Sequence, residues 1–262
     1  TETSCVYLPA GPGDCVMGGG EAVAHSRPYM ASIQHDDKHE CGGFLISGQW
    51  VMTAAHCFSE PSDNSIRVVL GAHSLSTPED SKQVFSIASS HPHPEFSLEN
   101  YDNDIALLKL DGTATMSSAV KPIEFQRGGG YVREGEECSI AGWGATSNIG
   151  FRPDKLQEVD VKVLSRRLCG RSDYYGDKFT DNMMCAAESR KDTCDVRLLS
   201  SDRPPAVCLL VSQGDSGGPL VHGGVAVGIT SNGSKKCGRP KKPGVYTVIS
   251  RYTQWIDSTM QQ

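Results

Sequence analysis

Short apolar runs rich in β-branched residues recur along the chain, and turn-forming residues separate them. Six such runs predict strands, at Phe44–Ile46, Ile66–Leu70, Ile105–Leu110, Val159–Leu164, Val225–Thr230 and Val245–Ile249. The 28 glycines and 14 prolines supply frequent breaks between the runs. This pattern predicts an all-β fold, either a barrel or a sandwich. The exception is Tyr252–Met260, where apolar residues fall at helical spacing and predict a C-terminal helix.

Length and charge limit the remaining possibilities. With 262 residues the chain can form one large domain or two small ones, and a boundary near Val120–Pro122 would divide it roughly in half. The net charge of −6 argues against nucleic acid as the main partner, since nucleic-acid binding favours a basic face. No apolar run approaches the ~20 residues of a membrane span, so we expect no membrane partner.

The ten cysteines indicate an oxidising compartment. They are scattered along the chain, and no Cys-x-x-Cys pair suggests a zinc site, so we expect disulfides and neither a metal nor a cofactor. We therefore predict a secreted, extracellular protein. No start methionine or apolar signal segment precedes Thr1, and we expect that any targeting peptide was removed or was not included.

Three stretches supply the groups that acyl transfer to a serine requires: a hydroxyl, a base that takes its proton, and a carboxylate that orients the base. TAAHC carries His56, YDNDIALLKL carries Asp104 at the start of an apolar strand, and GDSGGP carries Ser216 among glycines. The backbone N–H groups of Gly214 and Ser216 are candidates for an oxyanion hole. Asp102 is an alternative to Asp104 as the carboxylate. Other histidines are interpreted as loop or surface residues, namely His73, His91 and His93.

These motifs, in the order His, Asp, Ser, resemble those of the chymotrypsin-like (trypsin-fold) serine proteases. The resemblance covers nearly everything from Val16 to Met260. It implies two antiparallel six-stranded β-barrels with a C-terminal α-helix and an active site in the cleft between them. The family's acid directly precedes an IALLKL-type strand, which favours Asp104 over Asp102. The chain would divide into a leader or propeptide remnant and two barrels, at 1–15, 16–122 and 123–262.

The resemblance also assigns substrate-binding and activation residues. Asp192 would form the floor of the substrate pocket and select arginine or lysine. The other substrate-binding positions would be Ser231, Gly233, Gly244 and Lys235. Lys235 resembles a basic residue that can screen the pocket carboxylate, and an ordinary surface lysine is the alternative. Val16 and Asp215 would be the activation pair of a zymogen, although Cys15 stands where that cleavage requires a basic residue.

Within the family, the resemblance is closest to the complement factor D branch. It is carried by GGGEAVAHSRPYMAS, LGAHSLS, HPHPE, AGWG, RPDKLQ and KKPGVYT, and by Asn232 where most trypsin-like enzymes have a tryptophan. This branch implies a monomer of the alternative complement pathway, in innate immunity. Its protein substrate would be complement factor B in complex with its activating partner, cut after arginine. The alternatives are a broader trypsin-like protease of granules or secretions and an inactive pseudoprotease.

Family pairing implies disulfides for six of the cysteines, as Cys41–Cys57, Cys169–Cys185 and Cys194–Cys237. A further bridge would join Cys138 to a position that holds His222 here, so Cys138 is left without its family partner. Cys5 and Cys15 are candidates for a bridge with each other. Cys208 is an odd thiol.

The stretch before the GDSGGP motif is longer than in the family. One residue should separate Cys194 from Gly214, yet this chain has eighteen more, Val196–Gln213. One interpretation is a functional surface loop. We favour a retained or mis-spliced intron, because Val196-Arg197 can be encoded by GTAAGA, which resembles a splice donor, and Val207–Gln213 by a pyrimidine-rich tract that ends in CAG. We expect this form to be nearly inactive, because the segment adjoins the oxyanion hole.

Overall fold

The computed structural model describes residues 19–58, 66–145, 152–188, 215–232 and 241–261. Two closed antiparallel barrels and a C-terminal helix are present, which confirms the predicted fold class. The strands, from β1 to β13, are Gly19–Glu21, Met30–His35, Lys38–Ser47, Trp50–Thr53, Ile66–Leu70, Gln83–Pro92, Ala106–Leu110, Glu137–Gly142, Gln157–Val163, Met183–Glu188, Pro219–His222, Val225–Asn232 and Gly244–Val248. The helices are α1 (Arg166–Cys169) and α2 (Thr253–Met260), with 3₁₀ turns at Ala55–Phe58, Gly176–Lys178 and Ile249–Tyr252.

The first barrel closes in the order β2–β3–β4–β7–β6–β5, because β5 pairs back onto β2. Alternate residues of a strand point to opposite faces of a sheet, so one set faces the inside of the ring. Val68 and Leu70 of β5 and Leu108 and Leu110 of β7 supply its core. The closed ring fixes the positions of β3, β4 and β7. The residues of the candidate site described below lie next to these strands.

The second barrel follows the order β9–β10–β13–β12–β11–β8 and closes where β8 pairs with β9. The short strand β1 pairs antiparallel with the first residues of β9 and lies at the edge of this sheet. In β9 the alternation is clear, since Val159, Val161 and Val163 are buried while Asp160 and Lys162 are exposed. The valines pack into the barrel core.

A further apolar cluster joins the two barrels. It contains Phe44, Met52 and Leu107 from the first barrel, together with Ile229 of β12 and Ile256 of α2. All five side chains are completely buried. Because this cluster fixes one barrel against the other, loops from both can meet at its edge with a defined geometry.

The strand predictions hold where the apolar runs are continuous. β5 matches Ile66–Leu70 from end to end, and α2 begins one residue after the predicted Tyr252. The long strand β6 was not predicted, because its residues alternate between half-buried and exposed and include serines and a histidine. Within the described ranges, no helix is both long and apolar enough to cross a membrane.

Candidate active site

His56 lies on the 3₁₀ turn that follows β4, next to a disulfide. The Cys41–Cys57 disulfide ties this turn to β3. Among the described residues, Cys41, His56 and Cys57 are also the one group of three metal-ligating side chains whose donor atoms converge. Both sulfur atoms are bonded to each other in the disulfide, so neither is available as a thiolate ligand for a metal. The disulfide instead holds the turn that carries His56.

Asp104 is completely buried and lies two residues before the start of the apolar strand β7. Its Oδ1 accepts the backbone N–H of His56 at 2.9 Å, and its Oδ2 lies 2.7 Å from His56 Nδ1. The Ser231 hydroxyl donates to the same Oδ2 at 2.5 Å, and the Thr247 hydroxyl donates to the Asp104 carbonyl at 2.9 Å. A buried carboxylate requires such donors. An ionised carboxylate only accepts hydrogen bonds, so this contact with Asp104 Oδ2 selects the His56 tautomer that carries a proton on Nδ1.

Ser216 lies on the turn before β11, at the junction of the two barrels. Its carbonyl accepts the N–H of Gly42 in β3 at 2.8 Å and lies 4.0 Å from Cys57 Sγ, on the residue after His56. The next residue, Gly217, has φ +85°, and a Cβ there would lie 2.1 Å from Thr53 Oγ1. Only glycine fits this close approach, which brings the serine against the first barrel.

Asp215, the residue before Ser216, is a second buried carboxylate. Its Oδ1 accepts the N–H of Gly144 at 2.9 Å. A Cβ on Gly142 or Gly144 would lie 2.1 Å or 2.4 Å from Asp215 atoms, so the glycines of the AGWG stretch make room for this side chain. The predicted activation partner, Val16, lies outside the described residues.

Two of the predicted substrate-binding residues are described. Ser231 is buried in β12 and its hydroxyl donates a hydrogen bond to Asp104, so it also holds the carboxylate that is proposed to orient His56. Gly244 is buried and opens β13, opposite Ala186. The other calls in this region fall outside the described residues; they concern Asp192, Gly233, Lys235, Gly214, the pair Cys194–Cys237 and the segment Val196–Gln213.

Four of the five described cysteines form the disulfides that the resemblance implies, Cys41–Cys57 and Cys169–Cys185. Cys169–Cys185 is a disulfide that joins α1 to β10. Cys138 in β8 carries a free, buried thiol. Burial, with a smaller contribution from Glu136, raises the pKa of the Cys138 thiol to about 12. His222 instead has its Nδ1 2.8 Å from the Glu137 carbonyl.

Of the remaining histidines, which were interpreted as loop or surface residues, His91 lies in strand β6 and His73 lies in the loop after β5. Its side chain is buried and its Nε2 lies 3.1 Å from Glu21 Oε1. His93 packs against Tyr252 and Trp255 at the barrel junction, with ring centroids 5.2 and 5.1 Å away, and burial lowers its pKa. These contacts were not predicted, because histidine counts as a polar residue in a hydropathy pattern and is therefore assigned to the surface.

Two residues that contact the Asp104–His56 pair were not predicted from the sequence. The Tyr101 ring meets the His56 ring edge-on, with centroids 5.5 Å apart. Thr247 holds the Asp104 backbone from the second barrel. Tyr101 could have been predicted to lie near the site, because it begins the YDND stretch that contains Asp104. Thr247 could not, because nothing distinguishes it from the other buried residues of β13.

Two barrels that meet at a hydrogen-bonded pair of a buried aspartate and a half-buried histidine, with a serine on a glycine turn, define the class of chymotrypsin-like serine proteases. Comparison with known proteins gives the same class. Residues 16–195 and 206–256 match the family model described as Trypsin, and the chain belongs to that family of serine endopeptidases.

Several relatives match over most of their length. Granzyme M of Rattus norvegicus is 42% identical over 243 residues, which are 92% of this chain and 87% of the relative. Kallikrein-8 of Rattus norvegicus is 39% identical over 258 residues, 97% of this chain and 89% of the relative. Serine protease 57 of Rattus norvegicus is 38% identical over 255 residues, 97% and 86% respectively.

A solved structure confirms the fold. Neuropsin, a serine protease expressed in the limbic system of mouse brain, superposes with a TM-score of 0.77 at 38% identity, covering 92% of this chain and 98% of neuropsin.

Proposed function

We propose that this chain cleaves peptide bonds through Ser216, with His56 as the general base and Asp104 as the carboxylate that orients it. The observation that carries the proposal is the 2.7 Å hydrogen bond between His56 Nδ1 and the completely buried Asp104. The contact of the Ser216 carbonyl with Gly42 supports it, because this contact holds the serine's turn against the barrel that carries His56.

In this mechanism His56 Nε2 takes the Ser216 hydroxyl proton as Oγ attacks the carbonyl carbon of the substrate. The C=O electron pair moves onto oxygen, where the N–H groups of Gly214 and Ser216 stabilise the negative charge. The imidazolium then gives its proton to the leaving amine, and water releases the acyl group by the same steps. Asp104 remains ionised and stabilises the imidazolium.

We propose specificity for arginine and lysine. Its support is Asp192, in the position where the family holds the carboxylate of the primary pocket. A carboxylate in an enclosed slot pairs with a guanidinium through two parallel hydrogen bonds, which favours arginine. Gly233 and Gly244 would leave the slot open, and Lys235 would be able to screen the carboxylate.

For the physiological role, we propose a broad trypsin-like protease of secretions or granules. The relatives granzyme M, serine protease 57 and kallikrein-8 support this role rather than a complement enzyme. The ten cysteines, with disulfides at Cys41–Cys57 and Cys169–Cys185, support an oxidising compartment.

A narrower candidate is cleavage of complement factor B in complex with its activating partner. The stretches shared with the factor D branch and Asn232 in place of tryptophan favour it. Cutting of that complex, together with poor hydrolysis of small arginine thioesters, would support the narrower role. Hydrolysis of those thioesters at the rate of ordinary trypsin would contradict it.

Labelling with a fluorophosphonate tests the proposed nucleophile. A chain that begins at a free Val16 and lacks Val196–Gln213 should form one adduct, located on Ser216 by peptide mass spectrometry. Ser216→Ala should abolish the adduct. An adduct that survives this substitution would refute Ser216 as the nucleophile, and no adduct in any form would favour a pseudoprotease.

A further inference from the structure

The segment just before Asp104 is tied to the second barrel by its side chains. Asp102, which is half-buried, accepts at Oδ1 a hydrogen bond from the Thr180 hydroxyl at 2.6 Å and another from Asn182 Nδ2 at 3.0 Å. These partners are 78 and 80 residues away along the chain and lie just before β10. We name Asp102, Thr180 and Asn182 the inter-barrel latch.

The neighbouring residue extends these contacts. Asn103 Oδ1 accepts hydrogen bonds from Asn182 Nδ2 at 3.2 Å and from the Tyr252 hydroxyl at 3.1 Å. Asn182 is itself held by the backbone, since its carbonyl accepts the N–H of Val248 at 2.9 Å. The latch is therefore anchored to the frame of the second barrel and not to a free loop.

The backbone of this segment needs such anchoring. Tyr101 and Asn103 have φ values of 60° and 55°, in the left-handed region that side chains disfavour. Conformations of this kind persist where surrounding contacts hold them. Here they turn the chain so that Asp102 faces the second barrel while Asp104, two residues later, faces His56.

We infer that the inter-barrel latch positions Asp104, so that its carboxylate stays aligned with His56. Asp104 hydrogen-bonds His56 of the first barrel, and Ser231 and Thr247 of the second. It keeps both sets of contacts only while its segment stays in register with the second barrel. Asp102 is thus a positioning residue and not an alternative acid. The inference rests on the proposed roles of His56 and Asp104.

An NMR titration of the His56 imidazole in the full chain tests the latch without requiring turnover. An aligned carboxylate favours the imidazolium, so a loosened Asp104 should lower the pKa of His56. Asp102→Ala and Asn182→Ala should both lower it, in the direction that Asp104→Asn does. Asp102→Asn keeps an acceptor oxygen and should preserve more of the wild-type value. The matched control is Glu99→Ala, which removes an exposed carboxylate from the same loop and should change nothing.

The possible outcomes separate the latch from simpler explanations. If Asp102→Ala and Asp102→Asn act equally while Asn182→Ala is silent, the effect is one of charge and the latch is refuted. The same holds if neither alanine variant shifts the His56 pKa although Asp104→Asn does. If Asp104→Asn itself has no effect, the proposed catalytic pair fails instead. Should Asp102→Ala fail to fold, Asn182→Ala and Thr180→Val carry the test.

Discussion

At the scale of single residues, the site depends on two buried carboxylates with different partners. Asp104 is compensated by donors from His56 and Ser231, and Asp215 accepts the backbone N–H of Gly144. A buried charge is stable only where such donors are fixed in place. Each carboxylate therefore orders the segment around it, one beside the proposed base, His56, and the other beside the proposed nucleophile, Ser216.

The pocket carboxylate can be tested by substitution. Asp192→Ser, in a chain that hydrolyses arginine esters, should lower kcat/KM by about 10²-fold or more, because a desolvated guanidinium left without its partner is unfavourable by ~3–5 kcal/mol. The measurement is steady-state hydrolysis of matched arginine and neutral esters. Undiminished cleavage after arginine would show that Asp192 is not in the pocket.

The free thiol of Cys138 gives a pH prediction. Burial raises its pKa from the ordinary 9.0 to about 12, so in the folded protein the thiol keeps its proton when an unfolded thiol would ionise. Because the thiolate is the nucleophile, the alkylation rate of Cys138 in the folded chain should keep rising as the pH increases beyond 9. In denaturant the rate should level off near 9.

Peptide mass spectrometry of the Cys138 peptide measures these rates separately from the other cysteines, and Cys138→Ala identifies the signal. A folded-state rate that levels off near pH 9 would mean that the thiol is solvated and that β8 is open at this point.

At the scale of elements, the turn that carries Ser216 depends on close backbone approach. Gly217 has φ +85° and no room for a Cβ beside Thr53, whereas Gly224 has φ +82° and open space around it. The two positions share a positive φ and differ in packing. They form a matched pair for testing the approach of the barrels.

Gly217→Ala should lower the free energy of unfolding by about 1–3 kcal/mol more than Gly224→Ala, because it adds a clash to the same left-handed strain. It should also reduce fluorophosphonate labelling of Ser216. Denaturant melts of the two variants make the comparison. Equal losses would mean that the turn relaxes freely and that its contact with the first barrel is weak.

Strands, helices and site residues could be predicted from the sequence where a local pattern, such as an apolar run or a short motif, defines them. β5 and α2 follow from an apolar run and a helical spacing, and His56, Asp104 and Ser216 lie in short motifs whose chemistry is readable. The strand β6 was missed because its half-exposed residues lack a continuous apolar run. The Asp102–Asn182 contact was missed for another reason, since nothing local marks a hydrogen bond between residues 80 positions apart.

At the scale of the whole molecule, the site is assembled from both barrels. His56 and Asp104 come from the first, Ser216 and Ser231 from the second, and the apolar cluster around Ile256 holds the two together. Chemistry at such a site depends on the relative position of segments that are far apart in sequence. A change in the chain next to Ser216 therefore acts on the entire arrangement.

We propose that the catalytic groups are complete and that Val196–Gln213 disables them. The family match is interrupted at residues 196–205, inside this segment. An oxyanion hole needs the backbone of Gly214 and Ser216 held to within roughly half an ångström. If Cys194 is bridged to Cys237, as the family pairing implies, the eighteen added residues would make a longer tether, which would close at a higher entropic cost and would fix that backbone less well.

The most direct test is arginine-ester hydrolysis by two chains that both begin at a free Val16, one lacking Val196–Gln213 and one retaining it. Since losing a single oxyanion donor lowers kcat by about 10²–10³-fold, the shortened chain should be faster by at least that factor. Equal kcat values for the two chains would contradict the account and identify the segment as a tolerated surface loop.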